Sequence, residues 1–189
     1  MNLPTKITVA RIVMIPVFIA VFFIDAIPYN RFIATAVFML ASLTDFLDGY
    51  LARKNNLVTN LGKFLDPIAD KMLVSCALIA IALEPTFLQI AVAVFSMVIL
   101  CRELMISGFR IVASSKNVIL AADKLGKIKT TLQMIALILL LPYADIAVLS
   151  DQAGDIVCYI GFAFLALATV MTVVSGLNYI VKNKEVLKD

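Results

Sequence analysis

Six runs of apolar residues, each close to the length that crosses a bilayer, constrain this chain more than any other feature. A helix needs roughly 20 such residues to traverse the hydrocarbon core. The runs lie at about 7–27, 32–51, 67–83, 87–112, 125–141 and 156–181. Pro28, Pro85 and Pro142 fall between them, where a missing amide donor costs little. The residues are 62% hydrophobic and 15% charged, against about half and a quarter in a soluble domain. The expected fold is a single all-α integral membrane domain over residues 1–189, with six transmembrane helices and a short interfacial N-terminal segment. No linker, low-complexity stretch or internal repeat divides it.

The placement of charge predicts orientation. Lys6 and Arg11 mark the start; Arg53, Lys54 and Lys63 fall between the second and third runs. Lys116, Lys124, Lys127 and Lys129 gather near the turn between the fourth and fifth, and Lys182, Lys184 and Lys188 form the tail. The other side carries Arg31 with Asp25, Glu84, Asp145, Asp151 and Asp155. Basic loops stay inside, so both termini and the 51–66 turn are expected in the cytoplasm of a cell-membrane protein. Arg11 interrupts the first apolar run and no small-x-small site follows, which argues against a cleaved signal peptide. Cys76, Cys101 and Cys158 are isolated, without CxxC spacing. They read as small buried hydrophobes rather than as a disulfide or zinc site.

Against this apolar background the stretch DFLDGYLARKNNLVTNLGKFLDPIAD, residues 45–70, holds four aspartates. Asp45 and Asp48 are three apart and share a helix face with small Ala52. Gly49 leaves the backbone open beside Asp48, and Arg53 follows where it can hold an anion. Asp66 precedes Pro67; either it caps the third helix or Pro67 lies within a helix that began earlier. In both cases Asp70 points to the same side, and the intervening turn can fold one pair against the other. Four carboxylates at close range raise one another's pKa, and divalent cations resolve the repulsion. An all-oxygen ligand set favours Mg2+ or Mn2+, and two such ions suit phosphoryl chemistry. The plainer alternative is an interfacial ion network with Arg53, Lys54, Lys63 and Lys71. Ionisable groups are costly near a membrane, and four at helical spacing with Gly and Arg between them weigh against that alternative.

The stretch resembles the signature of the CDP-alcohol phosphotransferase family, D-x2-D-G-x2-A-R-x8-G-x3-D-x3-D. Asp45, Asp48, Gly49, Ala52, Arg53, Gly62, Asp66 and Asp70 occupy every fixed position. The family's six-helix architecture agrees with the separate count of apolar runs. The resemblance implies that Asp45, Asp48, Asp66 and Asp70 bind two metal ions, and that Asp70 also deprotonates the acceptor hydroxyl. It implies contacts from Gly49 and Arg53 to the CDP moiety of CDP-diacylglycerol, and a contact from Thr59 near the nucleotide. The opening NLPTKITVAR is similar to the family's NxPNxLTxxR element; Thr8 and Arg11 match, while Thr5 stands where Asn is common. Thr5 and Thr8 are accordingly expected at the same substrate, with an interfacial helix as the plainer account.

CRELMISGFR, residues 101–110, and GKIKTTLQ, residues 126–133, resemble the branch of that family whose acceptor is glycerol 3-phosphate. The resemblance implies acceptor phosphate bound by Arg110, Lys127 and Lys129, and Arg102 with Glu103 as a supporting pair. Snorkelling under the positive-inside bias is the plainer reading of such cations. It fits Lys116 and Lys124 well and an Arg–Glu pair within an apolar helix less well. The resemblance further implies a homodimer; no nucleic-acid partner is expected. Competing readings are another acceptor (inositol phosphate, serine or phosphatidylglycerol), a carboxylate-based cation carrier, and a structural membrane protein. The carrier predicts acids near the bilayer midplane, and the structural protein leaves the signature unexplained.

Overall fold

The computed structural model describes residues 3–54, 60–116, 118 and 124–187. Within these ranges the side chains of 3–5, 45–54, 60–64, 66, 124, 185 and 187 are not described. The described elements are all helical: α1 (Leu3–Phe23), α2 (Asn30–Lys54), α3 (Asn60–Leu83), α4 (Gln89–Ser115), α5 (Lys124–Leu140), α6 (Tyr143–Leu149) and α7 (Asp151–Lys182), with a closing 3-10 turn at Lys184–Leu187.

Six of the helices correspond to the six apolar runs, but their ends differ. α1 begins at Leu3 and runs without a break into the first apolar run, so the entry segment is continuous with it. α3 begins at Asn60 and carries Pro67 in its interior, which answers the open question about Asp66: the helix began earlier. Proline is tolerated in such helices where neighbouring groups re-satisfy the freed carbonyl. The short α6 was not expected from the sequence; it follows Pro142 and meets α5 at a bend of 41°. Ser150 then starts α7, its hydroxyl accepting from the Ala153 amide at 3.4 Å, so that helix begins before the apolar run at 156. Among the described residues α1 (over Lys6–Phe23), α4 and α7 are by length and hydropathy able to cross a membrane, and the bent α5–α6 pair, taken as one span, makes a fourth.

Helix periodicity builds the core. Phe18 and Phe22, one turn apart on α1, pack with Phe38 of α2; the Phe18 ring lies 5.9 Å from Phe22 and 6.1 Å from Phe38. Ala34, Ala41, Ala77 and Ala80 are fully or nearly fully buried around them, because small residues let helix backbones approach closely. α1 packs along α2 and α3, while α5 packs along α7. Gly161 of α7 lies beneath Leu140 of α5, where an added Cβ would meet the leucine at 2.8 Å. Many large apolar side chains, among them Val13, Leu104, Ile111 and Val170, remain exposed, as expected of surfaces facing lipid. Cys101 belongs to this outer surface, which corrects the expectation that all three cysteines are buried; Cys158 is buried, Cys76 is half-buried, and all three are free thiols.

Contacts between helices fix their directions. Arg11 of α1 reaches Ala41 of α2, and Asn30 of α2 reaches back to Phe22 of α1, so the two run antiparallel. Phe87 meets Tyr159, Phe95 meets Phe162, and Arg110 meets Tyr179, so α4 and α7 run in the same direction. Lys71 of α3 meets Ser107 of α4, Lys129 of α5 meets Glu103 of α4, and Arg31 at the start of α2 meets Glu84 just past α3. The C-terminal ends of α2, α4 and α7 and the N-terminal ends of α1, α3 and α5 therefore share one end of the bundle.

Candidate active site

That shared end gathers the signature. Asp45 and Asp48 lie in the last turns of α2, and Asp66 and Asp70 in the first turns of α3. At 3.6 residues per turn each pair occupies one helical face. Of the four, only the side chain of Asp70 is described; it is exposed and lines a cavity. The side chains of Asp45, Asp48, Gly49, Ala52, Arg53, Gly62 and Asp66 lie outside the described residues, as does that of Thr5, and Thr59 lies outside them entirely. Among the described residues no three carboxylate, thiol or imidazole groups cluster together, a statement that covers one signature aspartate.

The cavity has a volume of about 750 Å³ and is walled by α3, α4, α5 and α7. Asp70, Arg110, Lys127 and Lys129, which the sequence assigned to one reaction, all line it. Lys71, Arg102 and Glu103 line it as well, so cations outnumber carboxylates in its described wall. A concave site with that excess attracts anions and concentrates their field.

Glu103 organises the wall. Its carboxylate accepts from the Lys129 ammonium and lies 3.6 Å from an Arg102 nitrogen. Arg102 and Glu103 are thus the pair expected from the sequence, and Lys129, only 3% exposed, is drawn into it. The negative field of Asp70 also reaches Lys129. Arg102 reaches across to α7 as well, donating to the Ser175 hydroxyl at 3.0 Å. Gly176, the next residue, is where an added Cβ would come within 3.2 Å of the arginine stem. Lys71, next to Asp70, donates to the Ser107 hydroxyl, which in turn donates to the Glu103 carbonyl at 2.5 Å. Side chains from α3, α4, α5 and α7 are thereby tied to one another.

Arg110 is held differently. Its Nε donates to the Tyr179 hydroxyl at 3.2 Å, and the guanidinium centre sits 5.5 Å from the tyrosine ring centroid. This leaves the guanidinium exposed on the cavity wall, while Phe109 packs edge-on to the same ring at 5.9 Å. Lys127 is exposed at the rim. Tyr179, Ser107 and Gln133 were not singled out from the sequence as site residues. Gln133 lay within the GKIKTTLQ segment, but its side chain acquires meaning only once α5 is packed.

Thr8 and Arg11 are fully or nearly fully buried. Arg11 Nε donates to the Ala41 carbonyl at 3.2 Å and approaches the Thr44 hydroxyl at 3.5 Å. It therefore braces α1 against α2 one residue before Asp45.

The sequence model of CDP-alcohol phosphatidyltransferases matches residues 1–174. The chain is similar to the CDP-diacylglycerol–glycerol-3-phosphate 3-phosphatidyltransferase of Bacillus subtilis (strain 168), at 43% identity over 99% of this chain and 97% of that one. Similarity to the protein of the same name from Rickettsia bellii is 41% over 94% of this chain and 93% of that one. For its namesake from Shigella flexneri serotype 5b it is 35%, over 95% and 93%.

Proposed function

The chain belongs to the CDP-alcohol phosphatidyltransferase family, and from that premise we propose that it transfers the phosphatidyl group of CDP-diacylglycerol to glycerol 3-phosphate, releasing CMP. The observation that carries this reading is the cavity in which Asp70, the last signature aspartate, shares walls with Arg110 and Lys127. Relatives at 35–43% identity over nearly the whole chain bear the name of that reaction.

In the proposed reaction the acyl chains of CDP-diacylglycerol stay in the bilayer and its diphosphate enters the cavity end. The primary hydroxyl of glycerol 3-phosphate attacks the lipid-side phosphorus. A new phosphorus–oxygen bond forms, the bridging bond of the diphosphate breaks, and CMP leaves with the electron pair. Asp70 takes the hydroxyl proton as attack proceeds, because a carboxylate is too weak a base to remove it beforehand. Arg110 and Lys127 hold the acceptor phosphate, Arg110 by its planar donor fork. Gly49, Arg53 and Thr59, with Thr5, contact the donor, whereas Thr8, at 1% exposure, has no surface to offer it. Confining two substrates side by side supplies much of the rate.

The signature aspartates fit a divalent metal pair by chemistry: an all-oxygen set, in pairs at helical spacing on the ends of α2 and α3. Asp45, Asp48, Asp66 and Asp70 would hold Mg2+ or Mn2+, which supplies charge neutralisation at the diphosphate. The remaining residues need that neutralisation, since four acids otherwise repel the substrate.

We also read six helices as spanning. α2 and α3 have 25 and 24 residues, and at 1.5 Å per residue they are about 38 and about 36 Å long. The basic cavity end then lies in the cytoplasm by the positive-inside rule, with both termini, and the family resemblance implies a homodimer.

The test is CMP release from CDP-diacylglycerol by purified protein in mixed micelles with Mg2+. Glycerol 3-phosphate, inositol phosphate and serine are offered separately, each with an EDTA control. Release with glycerol 3-phosphate alone, abolished by EDTA, is the expected result. Release with another acceptor keeps the reaction and overturns the acceptor; no release from folded protein overturns both.

A further inference from the structure

Gln133 is a polar residue of the cavity that the proposed chemistry leaves without a task. It lines the cavity one helical turn beyond Lys129 on α5, so the two share a face. It is 2% exposed, and both its amide nitrogen and its amide oxygen are buried with no hydrogen-bond partner. A buried amide with neither partner is costly, and native structures rarely keep one without a reason. Its neighbours are at least partly engaged: Lys129, Lys71 and Ser107 each bond to another side chain or carbonyl, and Arg102 does so through a terminal nitrogen while its Nε has no partner.

Chemistry narrows the ligand. A phosphate offers only acceptors and is met here by cations, whereas a carboxamide presents one acceptor and two donor hydrogens. Its natural complement is a neutral group that also does both, an alcohol. Gln133 sits where the cavity meets the apolar core, since Ala136 and Leu137 one turn on are fully buried. The ligand portion reaching it is therefore small and uncharged. Resting on the acceptor reading above, we infer that Gln133 reads the secondary hydroxyl of the polyol phosphate acceptor. It accepts from and donates to that hydroxyl while Arg110 and Lys127 hold the phosphate. This fixes the three-carbon backbone at two points and leaves its primary hydroxyl directed towards Asp70. Gln133 is on this view a specificity and positioning residue rather than a base.

The experiment compares glycerol 3-phosphate with 3-hydroxypropyl phosphate, which lacks only the secondary hydroxyl, as acceptors for wild type and Gln133→Met. Leaving the buried amide unpaired should lower wild-type kcat/KM for the deoxy acceptor about ten- to hundredfold. Gln133→Met should lose a similar factor with glycerol 3-phosphate and treat the two acceptors alike to within about twofold. KM for CDP-diacylglycerol should stay unchanged. The thermal midpoint of the variant without substrate should be equal or higher, because an unpaired amide has been removed. A purely structural glutamine, or one bridged by a fixed water, would instead give a lower midpoint and preserved discrimination; either overturns the inference. Equal use of both acceptors by wild type overturns it without any variant. Wild type inactive with glycerol 3-phosphate overturns the acceptor reading itself, which separates the two failures.

Discussion

At the scale of single residues the site divides into groups that act and groups that hold them. Asp70 lies on the cavity wall beside Lys71, whose ammonium is engaged by Ser107. Asp70→Asn keeps the shape and removes the proposed proton acceptor, so CMP release should fall at least about a hundredfold with monodisperse protein still extractable. Unaltered turnover would remove the base from Asp70. Arg110 is exposed on the same wall and oriented by Tyr179. Arg110→Ala should raise KM for glycerol 3-phosphate about ten- to hundredfold, the worth of charged hydrogen bonds, with little change in KM for CDP-diacylglycerol. Steady-state kinetics with each substrate varied in turn checks this split. The helices that carry the four aspartate positions were legible in the sequence, because spacings of three and four residues are local to α2 and α3. Tyr179 and Gln133 were not, because α7 and α5 bring them to the cavity by tertiary packing, and a tyrosine or glutamine in an apolar run carries no spacing signal of its own. Lys129 lay between these cases: its cation was visible, but its capture by Glu103 from α4 was not.

At the scale of elements, glycine marks where helices touch. A Cβ on Gly154 of α7 would come within 2.8 Å of the Ala147 backbone of α6, whereas one on Gly108 of α4 meets nothing within 4 Å. Backbone cannot yield as a side-chain tip does, so Gly154→Ala should destabilise by about 1–3 kcal/mol. Gly108→Ala should stabilise by roughly 0.5–1 kcal/mol, the helical cost of glycine. Thermal midpoints of the two variants in one detergent test the contrast; a fall of equal size in both would refute the close α6–α7 packing. The positions of the helices were largely readable from hydropathy, since apolar runs and interrupting prolines are properties of the chain itself. Their ends were not. α3 starts at Asn60 within a polar stretch that hydropathy cannot separate from loop, and α7 starts at the Ser150 cap. α6 occupies a segment too short to show a period.

At the scale of the molecule, two polar ends sit on an apolar middle. Glu84, just past α3, lies 14 residues from Asp70, which is about 21 Å along a helix. There Arg31 lies 2.6 Å from Asp25 and 3.4 Å from Glu84, with its guanidinium 5.3 Å from the centroid of the Phe22 ring. Asp145 of α6 accepts from the Phe32 amide at 2.8 Å, and Asn30 donates to the Phe22 carbonyl at 3.0 Å. The loop between α1 and α2 is thus held to the start of α2 through Asp25, and the start of α2 is held in turn to Glu84 past α3 and to α6, at the end away from the cavity. The two acids outside the helices respond oppositely to this network. The hydrogen bond and charge of Arg31 hold the exposed Asp25 below the usual carboxylate range. Burial pushes Glu84 up despite Arg31, helped by the charges of Asp25 and Asp145. A carboxylate held low contributes stability above its ordinary value that is lost as pH falls through its folded value. One held high contributes stability below its ordinary value that fades as pH rises through its folded value. The advantage of wild type over Asp25→Asn should therefore shrink on acidification, while its advantage over Glu84→Gln should shrink as pH rises. Thermal midpoints taken across pH in a fixed detergent give both curves. Parallel curves for the two variants would mean that Arg31 governs both acids alike and that burial of Glu84 is relieved in the micelle.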